Sequence, residues 1–296
     1  MAPHPIRKLL VANRSEIAIR VFRGATELGI QTVAVYAHED RFALHRFKAD
    51  EAYEIGVGME PIAAYLSVDE IIRIAKLSGA DAIHPGYGFL SESPELAAAA
   101  EAAGIIFVGP RTQTLIDLGD KVASRKLAEA ADVPTVPATD ALPDGDDAAN
   151  EAGARVGLPV MVKASWGGGG RGMRPIRNAE ELEEKVLEGR REAEAAFGNG
   201  EGYLERMIQR ARHVEVQILG DKFGDIYHLY ERDCSVQRRN QKVVERAPAP
   251  YLTEAQRAEI CALGKNICAH VDYECAGTVE FLMDMDSQEF YFIEVN

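Results

Sequence analysis

Short apolar runs alternate with helix-period segments through the first 110 residues, and that alternation leaves few folds open. Residues 8–12 read as a strand, apolar from Leu9 to Ala12. Ile17, Val21, Ala25 and Leu28 then fall on one helical stripe over 16–28, with Ser15 as N-cap and Gly29 as the stop. The pattern repeats, predicting strands at 31–37, 80–83 and 105–108. Helices are predicted at 68–77 and 94–103, the last closed by Gly104. Strand–helix–strand repetition implies a parallel sheet with helices on both faces.

The texture changes near Gly109-Pro110. A single helix is expected over 115–131, carrying Lys121, and an acidic loop over 140–147. A strand at 160–163 runs straight into glycines. Segments 214–219 and 225–231 and a terminal hairpin read as antiparallel β. The boundary falls at about residue 115, giving domains 1–114 and 115–296. No repeat suggests a solenoid.

The chain has 296 residues and a formal charge of −14, from 33 basic and 47 acidic side chains. That balance argues against nucleic acid or an anionic membrane as partner, though a local basic cluster still suits a small anion. No apolar run approaches the ~18 residues of a membrane span. Arg7 and Lys8 precede too short an apolar stretch for a signal peptide, so a cytoplasmic protein is expected. Cys234, Cys261, Cys268 and Cys275 form no C-x-x-C pair. Cys261 and Cys268 are expected on one buried helix face, in a reducing compartment.

Lys163-Ala-Ser-Trp-Gly-Gly-Gly-Gly-Arg-Gly-Met173 holds four successive glycines, Gly167 to Gly170. Such a loop wraps its N–H groups around phosphate oxygens and closes like a lid, with Lys163 aimed at the same phosphates. It matches neither a Walker A pattern nor a dinucleotide fingerprint. A plain surface loop is the alternative.

In the terminal hairpin a turn centred on Ser287 places Glu280 directly opposite Glu294. Thr278, Glu280, Leu282, Phe292, Glu294 and Asn296 are then expected on one face. Val279, Phe281, Met283, Tyr291, Ile293 and Val295 are expected on the core face. Two carboxylates about 5 Å apart repel by roughly 3 kcal/mol at an effective dielectric of about 20. A divalent cation offsets this, with Asn296 as a third ligand, and oxygen donors beside phosphates favour Mg²⁺. A solvated edge hairpin is the alternative. Arg212-His213 and the run Arg232, Arg238, Arg239, Lys242 invert the local charge and point to an anion, against the alternative of a solvated charged face.

Several segments together resemble the biotin carboxylase family, which has an ATP-grasp fold. They are Val11-Ala-Asn-Arg14 with Glu16, His84-Pro-Gly-Tyr-Gly-Phe-Leu-Ser-Glu92, Gly119-Asp-Lys121, the 167–172 loop, Glu231-Arg-Asp-Cys-Ser235 and Phe292-Ile-Glu-Val-Asn296. Trp166, residues 45–50 and residues 236–251 are most similar to the biotin carboxylase region of bacterial pyruvate carboxylases. The resemblance implies an α/β chain. A Rossmann-like parallel-sheet domain is followed by an ATP-grasp α+β domain with a mobile lid at about 135–203. It further implies ATP, Mg²⁺ or Mn²⁺, bicarbonate and carrier-borne biotin. MgATP activates bicarbonate to carboxyphosphate, which carboxylates biotin, and pyruvate becomes oxaloacetate elsewhere in the full enzyme.

By the same resemblance Lys121, Lys163, Gly168, Gly169 and Gly170 contact nucleotide phosphates. Glu205 and Ile208 lie at the adenine hinge, and His213 and Gln237 near the ribose and phosphates. Glu280, Glu294 and Asn296 hold the metal. Lys242, with Arg238 and Asn240, serves bicarbonate, and Tyr87 and Gly88 lie near the biotin ring. Asn240 departs from the His usual in the family, keeping a hydrogen-bond donor but no charge. The family continues past position 296 with an Arg and a Glu of the active site. The resemblance therefore implies a truncated chain that binds ATP without carboxylating biotin alone. Biotin carrier and carboxyltransferase domains, and a homo-oligomer, are the implied partners. The biotin carboxylase part of an acyl-CoA carboxylase, another ATP-grasp ligase and a non-catalytic ATP-binding fragment are the alternatives.

Overall fold

Five parallel strands, β1 (Lys8–Val11), β2 (Gln31–Tyr36), β3 (Glu51–Glu54), β4 (Ala82–His84) and β5 (Ile106–Phe107), form one sheet in the order β3-β2-β1-β4-β5. The computed structural model describes residues 6–142, 153–165, 173–239 and 241–296, the side chain of Phe197 excepted. The sheet belongs to the first of two units, Met1–Leu115 and Ile116–Asn296.

The apolar runs of β1 and β2 are continuous because both sheet faces are covered. Leu9, Val11 and Ala34 pack on Ala18, Phe22 and Ala25 of helix α1 (Ser15–Glu27). The alternate residues Leu10, Val33, Val35 and Ile83 pack on Ile71, Ile74, Leu96 and Ala100. These come from α3 (Val68–Ser78) and α4 (Pro94–Ala102), which follow the short α2 (Pro61–Tyr65). Ser67 and Ser93 cap α3 and α4 by accepting from the N–H of Glu70 and Leu96. Gly29, Gly79 and Gly104 end three helices with positive φ.

Two expectations fail locally. Ser15 is not the N-cap of α1: Arg14 holds that position, and Ser15 is the first helical residue at φ +59°. The predicted helix over 115–131 is two helices, α5 (Thr112–Gly119) and α6 (Lys121–Ala130). Asp120 breaks it, because its Oδ1 accepts from the N–H groups of Val122 and Ala123, both at 2.8 Å, and starts a new helix. Lys121 therefore stands at a helix N-terminus rather than mid-helix.

The second unit carries two antiparallel sheets. β6 (Val160–Ala164), β7 (Arg174–Ile176) and β8 (Gly202–Arg206) run β7-β6-β8. With helix α7 (Leu182–Phe197) they close a small core of Leu142, Val160, Val162, Ile176, Leu182, Val186 and Leu204. The larger sheet runs β11-β10-β9-β12-β13. Its strands are β9 (Ala211–Gly220), β10 (Ile226–Arg238), β11 (Gln241–Arg246), β12 (Cys275–Asp284) and β13 (Phe290–Val295). Helix α8 (Glu254–His270), started by a Thr253–Gln256 capping box, lays Ile260, Cys261, Gly264, Ile267 and Cys268 on this sheet. Gly264 lies against Val216, whose side chain a Cβ there would meet at 3.3 Å. All four cysteines are free.

The hairpin pairs Glu280 with Glu294, but not by a turn centred on Ser287. Near the turn Met283 pairs with Phe290 and Phe281 with Phe292, and a register shift between Glu280 and Phe281 then sets Glu280 against Glu294. Ile293 is the extra residue of the bulge. The expected faces of β13 are thereby corrected: Phe292 joins Val279, Phe281, Met283 and Phe290 in the core, and Tyr291 and Ile293 do not. Phe281 and Phe292 meet edge to face at 6.3 Å. Burying each such ring stabilises the sheet by about 2 kcal/mol.

Candidate active site

Sheet register assembles the acidic part of the site. Glu280 on β12 pairs with Glu294 on β13 and, on its other side, with Glu215 on β9. Arg232 on β10 pairs in turn with Glu215. A row Arg232–Glu215–Glu280–Glu294 thus crosses four strands, with Glu215 and Glu280 buried. Lys242 on β11 reaches over this row. Its Nζ bonds Oε2 of Glu215 and lies 2.6 Å from Oε1 of Glu280. The same Glu280 oxygen accepts from Nδ2 of Asn296 at 2.8 Å.

On the other side of Glu280, Oε2 lies 2.6 Å from Nε2 of His213. The amide nitrogen of Gln237 donates to the Cys234 carbonyl at 2.9 Å and lies 2.8 Å from Nδ1 of His213. With the Gln237 amide against Nδ1, the other ring nitrogen, Nε2, faces Glu280. Burial raises the Glu280 pKa, but His213 and Lys242 outweigh it and hold the carboxyl below its ordinary value. Burial likewise works against the charge of Lys242. Its hydrogen bonds to Glu215 and Glu280 prevail and raise its pKa.

A second group surrounds β6 and β8. Lys163 is paired with Glu205, which holds the buried ammonium charged against the cost of desolvation. Burial pushes the neighbouring Tyr203 up to about 12. Lys121 donates its backbone N–H to the Ser165 carbonyl and carries its Nζ to 3.6 Å from Glu294. The cap at Asp120 thus fixes the end of the helix that presents this lysine. Ile208 is half-buried just beyond β8.

The Glu231–Ser235 motif forms the frame. Glu231, fully buried, accepts from Arg257 at 2.9 Å and from the Ala249 N–H, tying α8 to β10. Asp233 accepts from Arg246, Ser235 and Tyr251, and Ser235 Oγ in turn accepts from the backbone of His213.

The structure therefore brings together Lys121, Glu294, Glu280, Asn296, Lys242, His213 and Gln237, and separately Lys163 and Glu205. Arg238 is exposed at the β10–β11 turn and makes no ion pair or hydrogen bond with this cluster among the described residues. Gly168, Gly169, Gly170, Trp166 and Asn240 lie outside the described residues. Tyr87 and Gly88 belong to the first unit, on the segment after β4, where Tyr87 is exposed and its hydroxyl donates to Glu16. Glu215 was not anticipated. Its only signal was a glutamate inside the apolar run Val214-Glu-Val216.

The acidic row repels itself, and Lys242, Arg232, His213 and Lys121 offset that repulsion. Two facing carboxylates without a sulfur ligand between them suit a hard divalent cation that arrives with nucleotide phosphates. In this arrangement Asn296 turns its amide nitrogen, rather than its oxygen, toward Glu280.

Two family models match the chain: "Biotin carboxylase, N-terminal domain" over residues 5–115, and "Carbamoyl-phosphate synthase L chain, ATP binding domain" over residues 120–296. The chain is 53% identical over 292 residues to mitochondrial pyruvate carboxylase of Homo sapiens, covering 99% of the chain and 25% of that protein. It is 51% identical over 296 residues to pyruvate carboxylase of Bacillus subtilis, covering 100% and 26%. It thus spans about a quarter of the curated relatives it matches. Among solved structures it is similar to Rhizobium etli pyruvate carboxylase, with 62% identity and a TM-score of 0.94 over 99% of this chain and 26% of that one. It is also similar to the biotin carboxylase domain of Hydrogenobacter thermophilus 2-oxoglutarate carboxylase in complex with MgADP and bicarbonate. There the identity is 46% and the TM-score 0.95, over 99% and 64%. With both halves matched in order, on a parallel sheet followed by the antiparallel sheets of an ATP-grasp domain, the chain belongs to the biotin carboxylase family.

Proposed function

We propose that this chain is the biotin carboxylase part of a pyruvate carboxylase. It activates bicarbonate with MgATP and passes the carboxyl group to biotin on a carrier domain. The observation that carries the reading is the row Glu215–Glu280–Glu294 bridged by Lys242 and flanked by Lys121 and His213. Phosphoryl transfer between two anions calls for charge neutralisation and alignment rather than a protein nucleophile. Glu280 and Glu294 would hold a divalent cation, which would supply charge neutralisation at the nucleotide phosphates, and Lys121 and Lys163 neutralise the phosphoryl oxygens. Lys242, kept charged by its two glutamates, draws bicarbonate. A bicarbonate oxygen bonds to the γ-phosphorus as the bond to the ADP oxygen breaks, giving carboxyphosphate. Its cleavage releases CO₂ and phosphate; an oxygen of that phosphate takes the proton of the biotin ureido nitrogen, and the nitrogen bonds to the CO₂ carbon.

In this reading Glu205 and Ile208 border the adenine, Gln237 and His213 the ribose and phosphates, and Gly168 to Gly170 the phosphates. Tyr87 and Gly88 face biotin, and Arg238 and Asn240 assist Lys242 once ligand is bound. The domain division is 1–114 and 115–296, and the segment at about 135–203 is the lid, supported by its separate small core. Pyruvate as final acceptor is supported by the 62% identity to a pyruvate carboxylase against 46% to a 2-oxoglutarate carboxylase. The partners are carrier and carboxyltransferase domains and a second copy of the protein. The last is supported by a neighbour described as a domain dimer. No described helix is long and apolar enough to cross a membrane. Four free cysteines support a reducing compartment, the cytoplasm.

The test is nucleotide binding. Glu280→Gln and Glu294→Gln each weaken Mg²⁺-dependent ADP binding by calorimetry about tenfold or more. Glu188→Gln, on the partly exposed face of α7, leaves it unchanged. Equal effects at all three positions would remove the carboxylate row from the argument. ADP production by the full-length protein that is indifferent to avidin would exclude biotin.

A further inference from the structure

The segment after β4 is wound tightly: Gly86, Gly88 and Phe89 have φ of +69°, +65° and +45°. Phe89 carries a side chain in a region that L residues rarely adopt, so this turn relaxes unless its surroundings hold it. Besides the local bonds of the Gly86 N–H to His84 Nδ1 and of the Ser91 N–H to the Gly88 carbonyl, each at 3.0 Å, three longer-range contacts hold it. Asn13, 3% exposed at the end of β1, donates both amide hydrogens to it, to the carbonyls of Pro85 and Tyr87, each at 2.8 Å. Its Oδ1 accepts from the Arg14 N–H at 2.8 Å, which fixes the amide. A Cβ at Gly86 would come within 2.7 Å of the Asn13 Nδ2, so the glycine is what permits this approach.

The second hold is the Tyr87 hydroxyl on Glu16, at 3.0 Å. The third grips the far end of the turn. The ring of Phe89 stacks on Tyr65 with centroids 5.2 Å apart and 16° between planes. Tyr65 is buried, donates to Oδ2 of Asp40 at 2.7 Å and accepts from the Ala37 N–H at 3.2 Å. Asp40 is clamped by Arg14 through Nε at 2.6 Å and the terminal guanidinium nitrogen at 2.5 Å. Two adjacent residues at the end of β1, Asn13 and Arg14, therefore govern both ends of one turn. The place is significant. In the order β3-β2-β1-β4-β5 the strand order, not the strand direction, reverses between the parallel neighbours β1 and β4, and ligands of open α/β sheets bind outside the strand ends at that switch point.

We propose that Asn13, backed by the Arg14–Asp40–Tyr65–Phe89 chain, is a positioning residue that presets the Pro85–Phe89 turn for a flat, uncharged cyclic urea. The proposal rests on the reading that Tyr87 and Gly88 face biotin. It deepens that reading by naming what shapes the subsite. Space over Gly88 is open where a Cβ would stand, so a flat ring has access to the backbone. A turn fixed in advance spares the ligand the entropy of ordering it.

The experiment compares the unsubstituted chain with Asn13→Ala. It uses saturation-transfer NMR with d-biotin, calorimetry with MgADP, and hydrogen exchange at amides 86–89. Asn13→Ala is expected to exchange about tenfold faster at those amides and to bind d-biotin about tenfold more weakly. MgADP affinity stays within about twofold, a split that general destabilisation would not produce. If Asn13→Ala fails to fold, Tyr65→Phe serves instead. It keeps the ring on Phe89, loses the hydroxyl links to Asp40 and Ala37, and shifts both readouts in the same direction by less. Unchanged d-biotin binding in a variant whose turn exchanges faster overturns the proposal. So does absence of d-biotin binding in the unsubstituted chain. Failure of the nucleotide reading shows separately, as loss of MgADP binding.

Discussion

Glu280 receives Lys242, Asn296 and His213 at once, and its neighbours on either strand are also glutamates. Each partner is needed because each removes part of a repulsion the sheet register imposes. Strain is a residue-scale matter as well. Ser15 opens α1 at φ +59°, a conformation that costs a residue with a Cβ about 1 kcal/mol and glycine almost nothing. Ser15→Gly is therefore expected to stabilise the first unit by about 0.5 kcal/mol, after subtracting the extra freedom glycine has when unfolded. A denaturant midpoint that falls instead would show the left-handed serine to be relieved in some other way.

At the scale of elements, caps and bulges decide where side chains stand. Asp120 cuts one expected helix into two and so places Lys121 at a helix start. The bulge at Ile293 turns Phe292 inward while leaving Glu294 beside Glu280. Helix α3 supplies a pH-dependent case. Glu70 is held down to about 2 from an ordinary 4.5, by Arg73 and then by the Gly56 N–H. Through these contacts it joins α3 to the turn at Gly56, where a Cβ would strike Ala64 at 2.3 Å. The folded state is the stronger acid, so this contribution is full above pH 4.5 and drains away as pH falls toward 2. Glu70→Gln is expected to flatten that part of the acid-unfolding curve by about 1 kcal/mol, solvent screening keeping it small. Parallel curves for the two proteins below pH 4.5 would refute the assignment.

At the scale of the molecule, the two units carry different parts of the proposed chemistry, the nucleotide and metal in 116–296 and the biotin-facing turn in the first unit. MgADP at 100 times its Kd stabilises what it binds by about 2.7 kcal/mol. Hydrogen exchange is expected to slow at β9, β12, β13 and the start of α6 on adding MgADP. Slowing confined to residues 6–115 would place the nucleotide elsewhere.

The sequence by itself determined the strand–helix alternation of the first half, the parallel first sheet, the antiparallel pairing of the later strands it marked and the facing of Glu280 and Glu294; it left β3, β7, β8, β11 and α7 unmarked. Local periodicity, glycine stops and a short hairpin carry that information within a few residues. It named the right carboxylate pair through the wrong turn, because a one-residue shift near the turn is cancelled by the bulge at Ile293. The tertiary structure alone decided that Glu215 completes the row and that Lys242 spans it. It alone decided that Asn13 and Arg14 lock a turn more than 70 residues away. Those depend on pairing between strands distant in sequence, where no local pattern fixes register and only the packing of the whole sheet does.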